Sequence, residues 1–450
     1  MNHSKPLSAS SDTTEEQEIA ICHENEIKEF SDDTGLHPMD GGFHAWMFLA
    51  ASTMIEALVW GFAFAFGVFQ SYYRDNELFE DSNMVAAIGT CATGAAYLGC
   101  PCAIIVMILF PRLSRWFSTT GLIIMCFSLA MGSFSTNVTH LVLSQGIGFG
   151  VGGCIAYSPS ILFMPEWFDK KRGLAFGVVW AGSGLSGILF PIVLERLLGQ
   201  FGFRTTLRIL SGVLFVLPLP FLYFHKPRVP IQKGVAHRRL TTRFLYNRVF
   251  MIYQLVNVFE ALGFFLPGIY LPSFARYIGF STFLSSLTVT VLNMASIFGS
   301  ISMGFLSDRC DALTCVSIST IGTVLSVFLL WGFSTKIPVL LVFCVAYGIF
   351  AGSFSAIWSA MIREVQKVDS SADTTIIFSA IAFGRGVGNV ASGPFSEMLI
   401  KVDNWQGHAR GAYGSGYGLI IVCTGLTSFM GGVVLDCSAV QIYMNYVHYK

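Results

Sequence analysis

VAAIGTCATGAAYLGCPCAIIVMIL, residues 85–109, holds no charged side chain over a length that crosses a hydrocarbon core about 30 Å thick at 1.5 Å per helical residue. From Ala103 to Phe110 the chain is continuously apolar. A membrane β-strand would alternate apolar and polar residues over about ten positions, so the stretch reads as a transmembrane helix.

Comparable runs lie on both sides of it. Spans are predicted at 44–70, 85–109, 117–134, 138–164, 173–195 and 205–224, then at 249–273, 283–306, 312–333, 338–362, 374–400 and 415–436. Composition points the same way: 12% of residues are charged and 53% hydrophobic, with 45 glycines and 41 phenylalanines, where a soluble domain carries about 25% charge. The formal net charge is zero, which gives no basis for a nucleic-acid partner. Of eleven cysteines, Cys91, Cys100, Cys102, Cys126, Cys154, Cys344 and Cys423 fall inside spans and form no paired CxxC motifs, so they read as packing residues. No metal or cofactor is expected.

Loop charges test the assignment, because short cytosolic loops carry the excess of lysine and arginine. Loops after even-numbered spans hold fifteen basic residues: Arg112, Arg115, Lys170, Lys171, Arg172, seven from Lys226 to Arg248, Arg309, Arg363 and Lys367. Loops after odd-numbered spans hold seven: Arg74, Arg196, Arg204, Arg276, Lys336, Lys401 and Arg410. Both termini are therefore predicted to be cytosolic. The expected organisation is a disordered acidic tail over 1–43, a six-helix bundle over 44–224, a basic cytosolic linker over 225–248, a second bundle over 249–436 and a short tail over 437–450. The first tail sets Lys5 and Lys28 against ten carboxylates and has no secretory signal, so the first span acts as its own insertion signal. The linker has no acidic residue and suits an anionic inner leaflet. Asn137-Val138-Thr139 forms a glycosylation triplet on an outer loop expected to be too short to use it.

The halves echo each other. Glu56 in span one corresponds in depth to Glu260 in span seven, and each is followed by glycine and aromatic residues. Glycines crowd span four (Gly146, Gly148, Gly150, Gly152, Gly153) and span five (Gly173, Gly177, Gly182, Gly184, Gly187), as close helix packing requires. Gly388 to Pro394 in span eleven and Pro267 to Pro272 in span seven are expected weak points.

Ionisable groups deep in a bilayer cost at least about 2.5 kcal/mol, so each is a functional candidate. Arg385, between Gly384 and Gly386, reads as an anion anchor or as half of a structural ion pair. Glu56 and Glu260 read as proton-coupling or substrate groups, or as carboxyls hydrogen-bonded to a neighbouring helix. Glu195, Arg208 and Glu397 lie near span ends and read as structural. Phe64, Tyr157, Trp180, Tyr270, Asn293, Trp358 and Asn389 are candidate cavity-lining residues, with Arg385, Asn293, Asn389, Tyr270 and Trp358 the substrate-binding set.

Several motifs resemble the monocarboxylate porter family of the major facilitator superfamily, especially its fungal members. They are Asp40-Gly41-Gly42-Phe43, Phe64 to Phe69, Trp167 to Gly177 continuing through Ala181 to Gly184, Phe201 to Arg208, Tyr270 to Ala275, and Gly393-Pro394. Gly304-Phe305-Leu306-Ser307-Asp308-Arg309 is similar to the gating motif that follows an even span; Phe110 to Arg115 keeps its basic residues without the aspartate. The resemblance covers about residues 38–436. It implies an all-α membrane protein of 12 transmembrane helices in two six-helix bundles, the major facilitator fold, which alternates access to a midplane site. It also implies carboxylate substrates moved with a proton. The span-one lysine and the span-eight aspartate and arginine of the better-studied carboxylate carriers have no counterparts at Gly67, Val68 or Asn293 to Met303.

The expected function is secondary active or facilitative transport of a small organic anion or carboxylate-bearing metabolite, with a proton as candidate co-substrate. The plasma membrane is the expected location, with a vacuolar or other organellar membrane as the alternative. Efflux of a neutral amphipathic secondary metabolite is a second reading within transport, and a non-transporting sensor on a carrier fold is the reading outside it. No enzyme chemistry is expected, since the sparse polar residues of the spans supply no nucleophile, base and orienting group. Oligomeric state is left open by the residues.

Overall fold

The computed structural model describes residues 36–74, 84–229, 241–402 and 407–448, with side chains as far as Val433. Among these, every regular element is a helix, and twelve of them are arranged as membrane crossings. They are α1 (Gly42–Arg74), α2 (Val85–Leu109), α3 (Phe117–Gly132), α4 (Val138–Trp167), α5 (172–201) and α6 (203–216) in the first half. In the second half they are α7 (Arg248–Tyr277), α8 (Thr282–Ser307), α9 (Ala312–Trp331), α10 (Ile337–Val368), α11 (Thr374–Val402) and α12 (Gly418–His448). Twelve crossings in two sets of six match the expected fold.

The punctuation is where sequence and structure part. Helix α5 turns directly into α6 at Gly202, whose φ of 71° and ψ of 173° let the chain fold back in one residue. Helix α7 breaks at Phe265, and Pro267 stands in the first turn of the second piece, where a missing N–H leaves no bond unmade. Helix α11, by contrast, runs unbroken through Pro394, so the weak point expected at Gly388 to Pro394 is not a break. One lost backbone bond inside a packed helix is tolerated when neighbours enclose it. Helix α12 continues to His448, past the tail expected from 437, because no glycine or proline interrupts residues 437–448. Residues 1–35 of the expected acidic tail and 230–240 of the linker lie outside the described residues.

Glycine governs how closely the helices approach. A Cβ at Gly152 would lie 2.7 Å from the Met125 backbone nitrogen, and one at Gly146 would lie 3.1 Å from the Ile88 carbonyl, so α4 seats directly on α3 and α2. In lipid, where apolar burial gives helices no net drive to associate, such backbone approach supplies the dispersion contacts. The outer surface is apolar, with Phe127, Leu143, Leu189, Phe298, Leu329 and Val342 exposed, as a bilayer-facing belt requires.

The loops after α2, α4, α8 and α10 gather at one end, termed the basic end for Arg112, Arg115, Lys170, Lys171 and Arg309 in the loops and Arg363 and Lys367 in the last turns of α10; the other is the far end. The halves meet along two antiparallel seams, α5 against α8 and α2 against α11. In the first, Gly173 and Gly177 lie on Gly304 and Ser300, and Gly184 lies on Ile297 and Asn293. In the second, Gly94 faces Val390, and Gly386 faces Tyr97 and Leu98. These seams bring the deep charges of one half beside the aromatic residues of the other.

Candidate functional site

A cavity of about 50 Å³ lies between the two halves, lined by Trp60, Phe64, Tyr97, Trp180 and Ser183 from the first and by Phe264, Phe265, Asn293, Ser296 and Arg385 from the second. That volume holds a water or two and no metabolite, so the structure captures a closed conformation. Toward the basic end the cavity rests on stacked rings: Trp180 meets Trp358 edge-on at 5.6 Å, Trp358 meets Phe378 at 5.2 Å, and Phe378 stacks on Phe176 at 4.9 Å. Toward the far end the halves touch through Phe64 and Phe265, 5.8 Å apart.

Arg385 sits in this cavity because the glycines around it let α11 come close on two sides. A Cβ at Gly386 would reach within 2.8 Å of Tyr97 Cβ on α2, and one at Gly388 would reach within 2.7 Å of Ala261 on α7. The guanidinium Nη1 donates to Glu260 Oε2 at 2.7 Å, with 1% and 9% of the two side chains exposed. Its Cζ lies 4.5 Å above the Phe264 ring and 5.9 Å from that of Trp358, and the Tyr97 phenol is a further neighbour across the seam. A charge this deep is tolerated because it is paired and covered by ring faces.

Other polar groups around the cavity have no partner. Trp180 Nε1, Trp358 Nε1 and Arg385 Nε are buried without an acceptor among the described residues. Glu56 is buried on α1, one turn before Trp60, and its Oε1 accepts no hydrogen bond. Glu56 and Glu260, which the sequence sets at equivalent depth, thus differ: among the described residues one carboxylate has a cation and the other has none.

The remaining expected binding residues fall in different places. Asn293 lines the cavity and donates Nδ2 to the Gly187 carbonyl at 3.1 Å, tying α8 to α5. Trp358 stands just behind the lining. Asn389 is buried one turn further along α11 with both amide atoms unpartnered. Tyr270 is turned away, its hydroxyl donating to Ser396 Oγ at 3.1 Å, and Tyr157 donates to the Ala96 carbonyl at 3.2 Å.

At the basic end two of the three expected gating residues, Gly304 and Asp308, make contacts between the halves. The Asp308 carboxylate accepts from the Gly173 amide at 2.6 Å and the Leu174 amide at 2.8 Å, bridging the halves at the first turn of α5. Free amides at a helix start favour a negative charge. Burial holds the Asp308 carboxyl above its ordinary range, against the opposing pull of these amides and of Arg363. Gly304 packs its backbone on Gly173 and Gly177. Arg309 is not part of the cluster: its guanidinium is exposed and lies 4.1 Å above the Phe305 ring. Arg363 takes its place, 3.9 Å from Asp308 and bonded to the Ser307 carbonyl. The same loop is held from the other side by Asp40, whose carboxylate accepts from the amides of Asp169, Lys170 and Lys171 at 2.9 to 3.2 Å. The Asp40 amide donates to the Trp167 carbonyl at 2.9 Å and Arg228 Nε donates to the His37 carbonyl at 2.6 Å, so the stretch from His37 to Asp40 is docked rather than part of a free tail.

Sequence reasoning missed Trp60, Tyr97, Phe264, Phe265 and Arg363. Trp60 had a signal, lying four residues after Glu56 and so on the same helix face. Tyr97 had another, as the lone large polar ring in the small-residue helix α2.

Several transporters are similar to this chain over much of its length. It is 27% identical over 407 residues to "MFS-type transporter 1" of Ophiocordyceps sp. (strain BCC 1869), covering 90% of this chain and 87% of that protein. It is 27% identical to "MFS transporter asaE" of Aspergillus flavus, with 81% and 82% covered, and 29% identical to "Aspyridones efflux protein apdF" of Emericella nidulans, with 72% and 66% covered. The family profile described as Major Facilitator Superfamily matches residues 49–309 and 253–423. With that match spanning most of the described helices, and a closed cavity at the junction of two six-helix halves, the chain belongs to the major facilitator superfamily and is a membrane transporter of small organic solutes.

Proposed function

We propose that this transporter exports an apolar, ring-bearing organic metabolite by alternating access, with the basic end in the cytosol of a cell bounded by its plasma membrane. The observation that carries the proposal is the central cavity, walled by aromatic rings from both halves around a single buried arginine already paired with Glu260. An apolar wall suits an apolar solute. A neutral solute is favoured over a carboxylate because a carboxylate would have to compete with Glu260 for Arg385. The direction, export, is supported by the name of the Emericella nidulans relative, an efflux protein.

The moving units are the two bundles, 44–224 and 249–436. Export against a gradient needs a driving ion, and Glu260 and Glu56 are the groups proposed to carry a proton. Protonating Glu260 weakens its hold on Arg385 and so changes what the cavity offers the solute, which couples proton and solute at one place. The narrower placement in the monocarboxylate porter branch rests on the motifs at Asp40 to Phe43 and Trp167 to Gly177.

The test compares metabolites inside and outside cells with and without this protein, at two external pH values. Export predicts that at least one solute accumulates inside when the protein is removed, more so at low external pH. An unchanged partition of every solute at both pH values defeats the proposal.

A further inference from the structure

We infer that the solute of the central cavity presents one conjugated carbonyl or enolate oxygen to Trp180 Nε1 and Arg385 Nε, with its flat face against the aromatic wall. The inference rests on the transport reading above and names the chemistry of the solute.

Among the residues that line the cavity, the buried side-chain atoms left without a partner are N–H donors. Trp180 Nε1 on α5 and Arg385 Nε on α11 belong to residues that line the cavity, are more than nine-tenths buried, and find no acceptor among the described residues. Trp358 Nε1, behind Trp180, is a third such donor. Buried N–H groups are nearly always bonded, so a cluster of bare ones marks where an absent acceptor belongs. The hydroxyls nearby are engaged locally: Ser183 donates to the Trp180 carbonyl, Ser296 to Leu292 and Ser300 to Gly352. The bare donors therefore lack an acceptor, which an ammonium does not supply, and a cation also meets the charge of Arg385.

The form of the acceptor follows from how Arg385 is used. A carboxylate binds arginine best through two parallel N–H bonds. Here Glu260 already neutralises the guanidinium through Nη1 while Nε is buried without a partner, so the site offers a donor rather than an unbalanced charge for a carboxylate to meet. A single oxygen fits that offer. The walls add flatness: Trp180, Phe264 and Phe265 supply ring faces and edges, which favour a planar conjugated system over a branched aliphatic one. A ketone, enone, lactam or enolate on an aromatic ring has both features, and the delocalised charge of an enolate gains further from the guanidinium.

Three probes of one shape test this on the full chain in lipid nanodiscs, with binding to empty nanodiscs subtracted. They are 2-acetylnaphthalene, its isostere 2-isopropenylnaphthalene, in which a methylene replaces the oxygen, and 2-naphthoate. The ketone is expected to bind about tenfold more tightly than the isostere, as a hydrogen bond to charged or buried donors gives. Trp180→Phe keeps an aromatic ring and removes the donor, and is expected to reduce that ratio to about threefold or less, the ketone losing more affinity than the isostere. The infrared carbonyl stretch of the bound ketone is expected to fall in the wild type relative to its value in apolar solvent, a readout that needs no variant. Equal binding of ketone and isostere, tightest binding of the naphthoate, no binding of any probe, or a ratio unmoved by Trp180→Phe in a protein that melts normally each overturns the inference. Export that persists in cells while the ketone preference is absent sinks this inference and leaves the transport reading standing. A ketone preference without export does the reverse.

Discussion

Arg385 and Glu260 lie 2.7 Å apart on α11 and α7 of the same half, so the deepest charges neutralise each other without bridging the halves. Removing either partner leaves the other stranded, a loss of about 3–5 kcal/mol for a buried pair. The two losses are unequal. Arg385→Met leaves a carboxyl that can take up a proton, whereas Glu260→Gln leaves a guanidinium that cannot lose one. Glu260→Gln is therefore expected to lower the melting temperature of the purified protein more than Arg385→Met does, and the double variant is expected to recover stability without recovering transport. Equal melting of all three and the wild type would show that the pair is not a structural unit.

Glu56 provides the contrasting case. Its Oε1 has no partner, so Glu56→Gln removes no bond made by that atom and is expected to change melting little. If Glu56 carries a proton during transport, the variant flattens the dependence of flux on external pH. Flux measured from pH 5 to 8 in wild type and variant checks this, and superimposable profiles rule Glu56 out as a proton carrier.

How far the residues disclose the molecule depends on the physics involved. Twelve spans were legible because a hydrocarbon core demands about twenty apolar residues per crossing and lets nothing else pass. Breaks were not: Pro394 and Pro267 look alike in sequence, yet α11 runs through one and α7 restarts near the other, since the neighbours decide whether a lost backbone bond is enclosed. Arg385 and Glu260 each stood out as a costly charge, but their pairing depends on the approach permitted by Gly386 and Gly388, which span spacing does not encode. Arg363 was hidden for a similar reason, lying on α10 and reaching Asp308 only once the bundle is assembled.

The latch at the basic end predicts a conformational bias. Gly173→Ala would put a methyl 2.6 Å from Asp308 Oδ1, and also against Ser307 Oγ and the Gly304 carbonyl. That seam cannot close around the methyl without moving backbone, so the variant is expected to keep the basic end open. In vesicles with the basic face outward, a membrane-impermeant maleimide should label Ser300→Cys about tenfold faster in the Gly173→Ala background, an order-of-magnitude expectation from about 1.4 kcal/mol of bias. Asp308→Asn should act in the same direction but less, because its amide oxygen still accepts one bond. Labelling that is no faster in either variant would remove Asp308 and Gly173 from the gate.

The junction between α6 and the linker predicts a pH effect on stability. His225 is buried, stacked on Phe48 at 5.3 Å, with Nδ1 2.9 Å from Ser118 Oγ and Nε2 2.9 Å from Ser160 Oγ. Ser118 gives its only hydroxyl hydrogen to the Ala156 carbonyl, so Nδ1 must be the donor and Nε2 the acceptor, the neutral imidazole. Burial pushes its pKa down to about 3 from the ordinary 6.5. Between those values the unfolded chain binds a proton that the folded chain refuses, so stability falls as pH drops through that window, by at most about 1.4 kcal/mol per pH unit. Above pH 6.5 the contribution is complete and the curve flattens. Melting temperatures of the purified protein from pH 7.5 to 4 should therefore decline in wild type, and His225→Gln, which keeps a polar side chain that cannot titrate, should show the shallower decline. A variant whose melting falls as steeply as the wild type would mean that another group drives the acid sensitivity and that the His225 contact with Ser118 and Ser160 survives protonation.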